Sequence, residues 1–240
     1  MPKPTTKAQT VAPQNSVVRA ALKPDSELEI IIGGPYTRQG VEHKYGHTAL
    51  RIKTPRTEHT YDFGRYGRIY PESLGFGIDL DGEDSPRGEG ILNIWANFGA
   101  YIASENQTGR TSWGYQYAIF EAQANRTIAY FDKMIAGSNP LKTTASYKRY
   151  KISTDYFALG PNCTTLSIDG AKQAIPRVVE GSEKHIRPED VLSTLVSTAM
   201  KAKYGTPKRL FLPANLRTYY GSNDVRIRVD KRKTYQAGAR

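Results

Sequence analysis

The nucleophilic chemistry open to this chain rests on few side chains. There is one cysteine, Cys163, and there are four histidines, His43, His47, His59 and His185. Cys163 follows Gly160-Pro161-Asn162 and opens CTTLSIDGAKQAI, where apolar residues at Leu166, Ile168 and Ala171 and a closing Pro176 predict a helix. A thiol in the first turn of a helix meets unpaired backbone N–H groups and the positive end of the helix dipole, which draw it towards thiolate. The same N–H groups suit the oxyanion of a tetrahedral intermediate. A buried, inert cysteine is the plain alternative.

A reactive thiolate needs an imidazole to hold its charge and to protonate the leaving group. His47 begins the run HTALRIK, and a second run, HTYDFGRYG, follows the turn TPRTE, which is the signature of a β-hairpin. A turn centred near Pro55 and Arg56 sets His47 opposite Gly64. Asp62 is then its diagonal neighbour on the same face, within about 7–8 Å. His59 falls opposite Ile52, too far along the strand at about 3.3 Å per residue. Asp62 is therefore the expected orienting residue and His59 the reserve. Read singly, His47 is equally a surface or satisfied core histidine, and Asp62 a solvated carboxylate at a strand end.

The elements that must position these residues follow from the rest of the pattern. Residues 1–26 lack hydrophobic periodicity and read as a flexible arm. LEIIIGG, from Leu28, reads as a buried strand. Residues 64–90 are rich in glycine and acid and read as a long loop or lid. Their cluster Asp79, Asp81, Glu83 and Asp84 resembles a calcium loop only superficially, lacking the glycine and closing glutamate of an EF-hand, so no metal site is expected. ILNIWANFGAYIA fits a strand or a short amphipathic helix. The spacing of Tyr117, Phe120, Ala124, Ile128, Phe131 and Ile135 predicts a helix running to Gly137. YKRYKIS reads as a strand and DYFALGPN as a turn. RPEDVLSTLVSTAMKAKYG reads as a helix with Pro188 in its first turn and Gly205 as its stop. Together these give one α+β domain over residues 27–230, followed by a basic, solvated tail at 231–240.

Composition narrows the partners. The 240 residues include 34 Lys and Arg against 23 Asp and Glu, a net charge of +11, with 38% hydrophobic residues. That balance excludes wholesale disorder and points to an anionic partner: nucleic acid, phospholipid or a carboxylate-rich polymer. No apolar run approaches the roughly 18 residues of a spanning helix, and the first residues show no apolar core of a signal peptide. A single cysteine forms no intramolecular disulfide and no Cys-rich zinc site.

The order of these motifs carries a resemblance. Tyr45-Gly46-His47-Thr48-Ala49-Leu50-Arg51-Ile52, then Tyr61-Asp62-Phe63-Gly64, and much later Tyr156 to Thr165 with Asn162-Cys163 at its centre, resemble the circularly permuted branch of the NlpC/P60 papain-like superfamily. The resemblance spans roughly residues 28–176, with about thirty diagnostic positions. It implies an antiparallel sheet packed against helices, with the nucleophile at a helix N-terminus. It further implies attack by Cys163 on an acyl carbon, a proton shuttle at His47, a thioester intermediate and no cofactor. The third polar residue in such families is often a histidine about a dozen positions on, which suits His59, whereas the hairpin geometry suits Asp62. Tyr45 would line the oxyanion or substrate site, unless it is an ordinary packing tyrosine.

The implied substrate is an amide in bacterial cell-wall peptide. Without a signal peptide, the expected setting is an antibacterial effector made in the cytoplasm and injected into a target periplasm by a type VI-like apparatus, with an immunity protein as a further partner. The alternative is a phospholipase or acyltransferase using the same dyad, for which ILNIWANFGAYIA would serve as an apolar lid unless it packs in the core. A basic nucleic-acid-binding module is the remote alternative, since no recognised binding motif supports it.

Overall fold

The computed structural model describes residues 23–236, apart from positions 39, 76, 83, 84 and 191. Most of the predicted arm, residues 1–22, lies outside the described residues, and Ser26 already belongs to the first strand.

In chain order, β1 (Ser26–Gly33) leads into a small hairpin of β2 (Tyr36–Arg38) and β3 (Val41–His43). The predicted hairpin follows as β4 (His47–Lys53) and β5 (Glu58–Gly64). Residues 64–90, expected to be loop, instead hold β6 (Ile69–Tyr70), a hairpin of β7 (Glu72–Gly75) and β8 (Ile78–Leu80), and β9 (Arg87–Gly88). These strands are two to four residues long, too short to register as alternation. Then come β10 (Ile91–Trp95), α1 (Phe98–Gln107), β11 (Ser112–Ile119) and α2 (Glu121–Ile135). Further on are β12 (Lys142–Thr143), β13 (Tyr147–Lys151), β14 (Tyr156–Phe157), α3 (Cys163–Ala174), α4 (Thr194–Tyr204), α5 (Pro213–Gly221) and β15 (Lys231–Tyr235).

Eight strands form one sheet in the order β12-β13-β10-β5-β4-β1-β11-β15, with every pairing antiparallel. The chain is thus α+β, an antiparallel sheet packed against helices. One face carries Leu28, Ile30, Leu50, Ile52, Tyr61 and Tyr117 into the main core, under α2, α3 and α5. The other face carries a smaller cluster, Ile31, Ala49, Trp95 and Tyr101, under α1.

Four sequence expectations change. ILNIWANFGAYIA is both a strand and a helix: β10 is a member of the sheet, and α1 packs in the smaller core on the face away from α3 rather than forming a lid. Tyr117 lies in β11, and the helix begins only at Glu121, because Tyr115, Tyr117 and Ile119 alternate into the core. The start of the expected basic tail, Lys231–Tyr235, is an edge strand on β11. Its lysines decorate a sheet edge, where charge discourages further pairing, while Tyr235 donates a 2.6 Å hydrogen bond to the fully buried Glu29. Pro188 opens a short 3-10 turn, and the α-helix of that segment starts at Thr194 behind a Ser193 cap. Gly205 does end it, at φ +83°.

Candidate active site

The seat of Cys163 is set by how closely α3 approaches β4. At Gly170 a Cβ would lie 2.6 Å from the Phe131 ring and 2.9 Å from Leu50, so only glycine lets helix, strand and α2 meet there. Near the start of α3, the Thr48 and Thr164 hydroxyls hydrogen-bond at 3.0 Å, and Ser167 donates to the Thr48 carbonyl at 3.4 Å. The first turn of α3 is thereby fixed against the first turn of β4, where His47 stands.

Asn162 caps the helix. Its Oδ1 accepts from the Thr165 N–H at 3.0 Å, and its Nδ2 donates to the Ala158 and Phe211 carbonyls. The amide is fully used in tying the helix to the loop before it and to the segment entering α5. The first N–H groups of α3, those of Cys163 and Thr164, have no acceptor within the helix.

The hairpin register is the expected one: Ala49 pairs with Asp62 and Ile52 with His59. His47 Nε2 lies 2.7 Å from Asp62 Oδ1. Tyr66 donates to that same oxygen at 2.7 Å. The other carboxylate oxygen accepts from Asn93 Nδ2 at 3.0 Å and Trp95 Nε1 at 3.4 Å. Burial opposes charge on the Asp62 carboxyl, but His47 and these donors outweigh it and hold its pKa below the ordinary value. Burial likewise opposes charge on His47, yet Asp62 and Cys163 together raise it to about 10. The Cys163 thiol is also a neighbour of this ring. Burial pushes the Cys163 thiol up, but His47, the Thr48 backbone and the Thr164 hydroxyl draw it below its usual value. His47 and Cys163 are thus electrostatically coupled, each favouring the charged form of the other.

His59 takes no part in this arrangement. Strand alternation turns it to the opposite face, beside Tyr61, where burial lowers its pKa and its Nδ1 is buried without a hydrogen-bond partner. Tyr45, 37% exposed, lines the opening beside Cys163. Four contributors escaped the sequence reading, the first being Tyr66, just beyond the end of β5. Asn93 and Trp95 reach Asp62 only because β10 pairs with β5, and the Tyr156 phenol lies against Cys163, where burial and the neighbouring thiolate keep it protonated.

The cleft over Cys163 is mainly apolar. Leu80, Leu159, Leu192, Val196, Met200 and Phe211 line it, with Arg65 and Tyr156 among its polar contributors. Its outer wall is the β7–β8 hairpin packed on α4, a satellite cluster around Leu74, Ala199 and Met200. Among the described residues no three Asp, Glu, His or Cys side chains converge as a metal site; Glu83 and Asp84 lie outside them. Nor is any helix among them long and apolar enough to cross a membrane. Compared with known proteins, the chain matches no family model, no curated protein and no solved structure.

Proposed function

We propose that the chain is a cysteine hydrolase of acyl bonds, with Cys163 as nucleophile, His47 as acid and base, and Asp62 as the group that orients His47. The observation that carries this reading is the single imidazole held between the Asp62 carboxylate and a thiol of lowered pKa at a helix start. The Cys163 thiolate adds to a carbonyl carbon, and the oxyanion forms facing the first N–H groups of α3. His47 gives its proton to the departing nitrogen or oxygen as that bond breaks, leaving a thioester. Neutral His47 then takes a proton from water, whose oxygen attacks the thioester carbon. The thiolate departs, and a carboxylic acid is released. Asp62 keeps the ring in the tautomer and orientation for both steps.

The resemblance to permuted NlpC/P60 enzymes makes an amide of cell-wall peptide the first substrate to test, in the setting of an injected antibacterial effector. The apolar cleft favours a second reading, a lipid ester, because each buried methylene of an acyl chain contributes about 0.8 kcal/mol. Wild-type and Cys163→Ala protein, incubated with peptidoglycan and separately with phospholipid vesicles, distinguish the two by mass spectrometry of products. New muropeptides from wild type alone identify the amidase, and lysophospholipid or free fatty acid identifies the lipid hydrolase. Silence on both substrates, with no thioester trapped at Cys163, would overturn the hydrolase reading.

A further inference from the structure

We propose that the groove beside the Cys163 cleft is a subsite for an anionic group, phosphate or carboxylate, carried by the substrate on the side of the scissile bond away from the apolar wall. The inference deepens the hydrolase reading and rests on it. The groove has a volume of about 540 Å³, within the range of pockets that hold small molecules. It is continuous with the cleft, because Tyr45 and Gly46 line both, and Pro213 of the cleft is followed on α5 by Ala214 of the groove. A substrate bound across Cys163 would enter it past the shared residues Tyr45 and Gly46.

Charge gives the groove its chemistry. Lys44 and Arg217 line it, and no Asp or Glu does. Neither cation has a carboxylate within ion-pair distance among the described residues, whereas Arg51, Arg110, Lys203 and Arg209 each have one. Arg217 is held in place all the same, its guanidinium 3.4 Å from the centroid of the Trp113 ring. A stacked guanidinium keeps its N–H edge free and pre-oriented for a planar or tetrahedral oxyanion. Lys44 supplies a second point charge, its ammonium 5.2 Å from the centroid of the Tyr45 ring. The substrate that fits both compartments is an amphipathic anion: an apolar acyl portion beside Cys163 and a phosphate or carboxylate beyond Tyr45.

The test is calorimetric binding to the Cys163→Ala protein, which separates recognition from turnover. Three ten-carbon probes are compared below their aggregation limits: decyl phosphate, N-decanoylglutamate and neutral decyl glucoside. The expected result is a fivefold to tenfold preference, in rough terms, for at least one anion over the glucoside. Lys44→Gln with Arg217→Gln erases that preference without changing glucoside affinity, and both sites are exposed enough that folding is retained. The better anion tells a lipid phosphate source from a peptide carboxylate source. A control pair on distant surfaces, Lys133→Gln with Lys148→Gln, leaves the preference intact. Equal binding of all three probes, or equal loss in the control pair, overturns the proposal. If the preference stands while wild type traps no thioester at Cys163, the hydrolase reading falls and the anion site remains.

Discussion

His47 Nε2 lies 2.7 Å from Asp62 Oδ1, and the two side chains come from neighbouring strands whose register puts them on one face. The Asp62 carboxylate has little freedom, because Tyr66, Asn93 and Trp95 occupy its remaining lone pairs. It is therefore built to orient rather than to exchange protons.

Asp62→Asn keeps the shape but loses the anion that fixes the tautomer of His47. The expected loss in kcat is roughly 10²- to 10⁴-fold. His59→Ala, on the opposite face, should stay within a few fold of wild type. Steady-state kinetics on the substrate identified by product analysis reads both, and comparable losses in the two variants would reject Asp62 as the orienting residue.

The coupling of Cys163 to His47 gives Cys163 an alkylation profile unlike that of a free thiol. Reaction with iodoacetamide should be fast at neutral pH in wild type. In His47→Ala the midpoint should move upward, since burial of the thiol is then opposed only by the Thr48 backbone and the Thr164 hydroxyl. Alkylation rates measured between pH 5 and 10, followed by mass at Cys163, decide the matter. An unchanged midpoint in the variant would mean that the helix start alone activates the thiol.

Stability should carry the mark of the same pair. The folded-state pKa of His47 is raised from the ordinary 6.5 to about 10. The contribution of the protonated ring is thus fully present below about 6.5 and is lost as pH climbs through 10, when Asp62 is left buried without its cation. Thermal melts from pH 8 to 11 should show wild type losing more stability than His47→Gln, in which this term is absent. Parallel curves would place the charge elsewhere.

Gly46 adopts φ +71°, and a Cβ there would sit 2.6 Å from the Gly33 carbonyl oxygen. Gly46→Ala is expected to cost about 1–3 kcal/mol through strain. Because His47 is the next residue, activity should fall further than the melting temperature alone explains. Denaturant unfolding set beside kcat tests that excess.

Glu29 is a fully buried carboxylate that accepts hydrogen bonds from Arg51 at 2.7 Å and Tyr235 at 2.6 Å. Tyr235→Phe removes one donor from a buried charge and should cost about 1–3 kcal/mol. A neutral result in equilibrium unfolding would show that β15 contributes little to holding the sheet.

The geometry of the candidate site was legible where local rules govern it. A short turn and the twofold alternation of strands fix which hairpin residues share a face, so Asp62 rather than His59 could be read from spacing. The start of α3 was legible from Asn162, whose side chain caps it. What escaped depends on pairings that no local window contains. Asn93 and Trp95 meet Asp62 through the β5–β10 pairing, thirty-odd positions along the chain. Lys231–Tyr235 resembles a solvated tail until β11 is placed beside it. Tyr115, Tyr117 and Ile119 satisfy both a helical and an alternating count, and only burial between β1 and α5 decides between them.

The wide separation of these partners in the chain also sets a schedule. During synthesis His47 is made early, Cys163 more than a hundred residues later, and Phe211, whose carbonyl anchors the Asn162 cap, later still. Contacts so distant in sequence form slowly and only after the intervening chain exists. Tyr235 reaches Glu29 last of all, across almost the whole described chain. A nascent chain therefore has no assembled cluster of His47, Asp62 and Cys163 until Cys163 has been made, and the site forms as a late event rather than growing with the polypeptide.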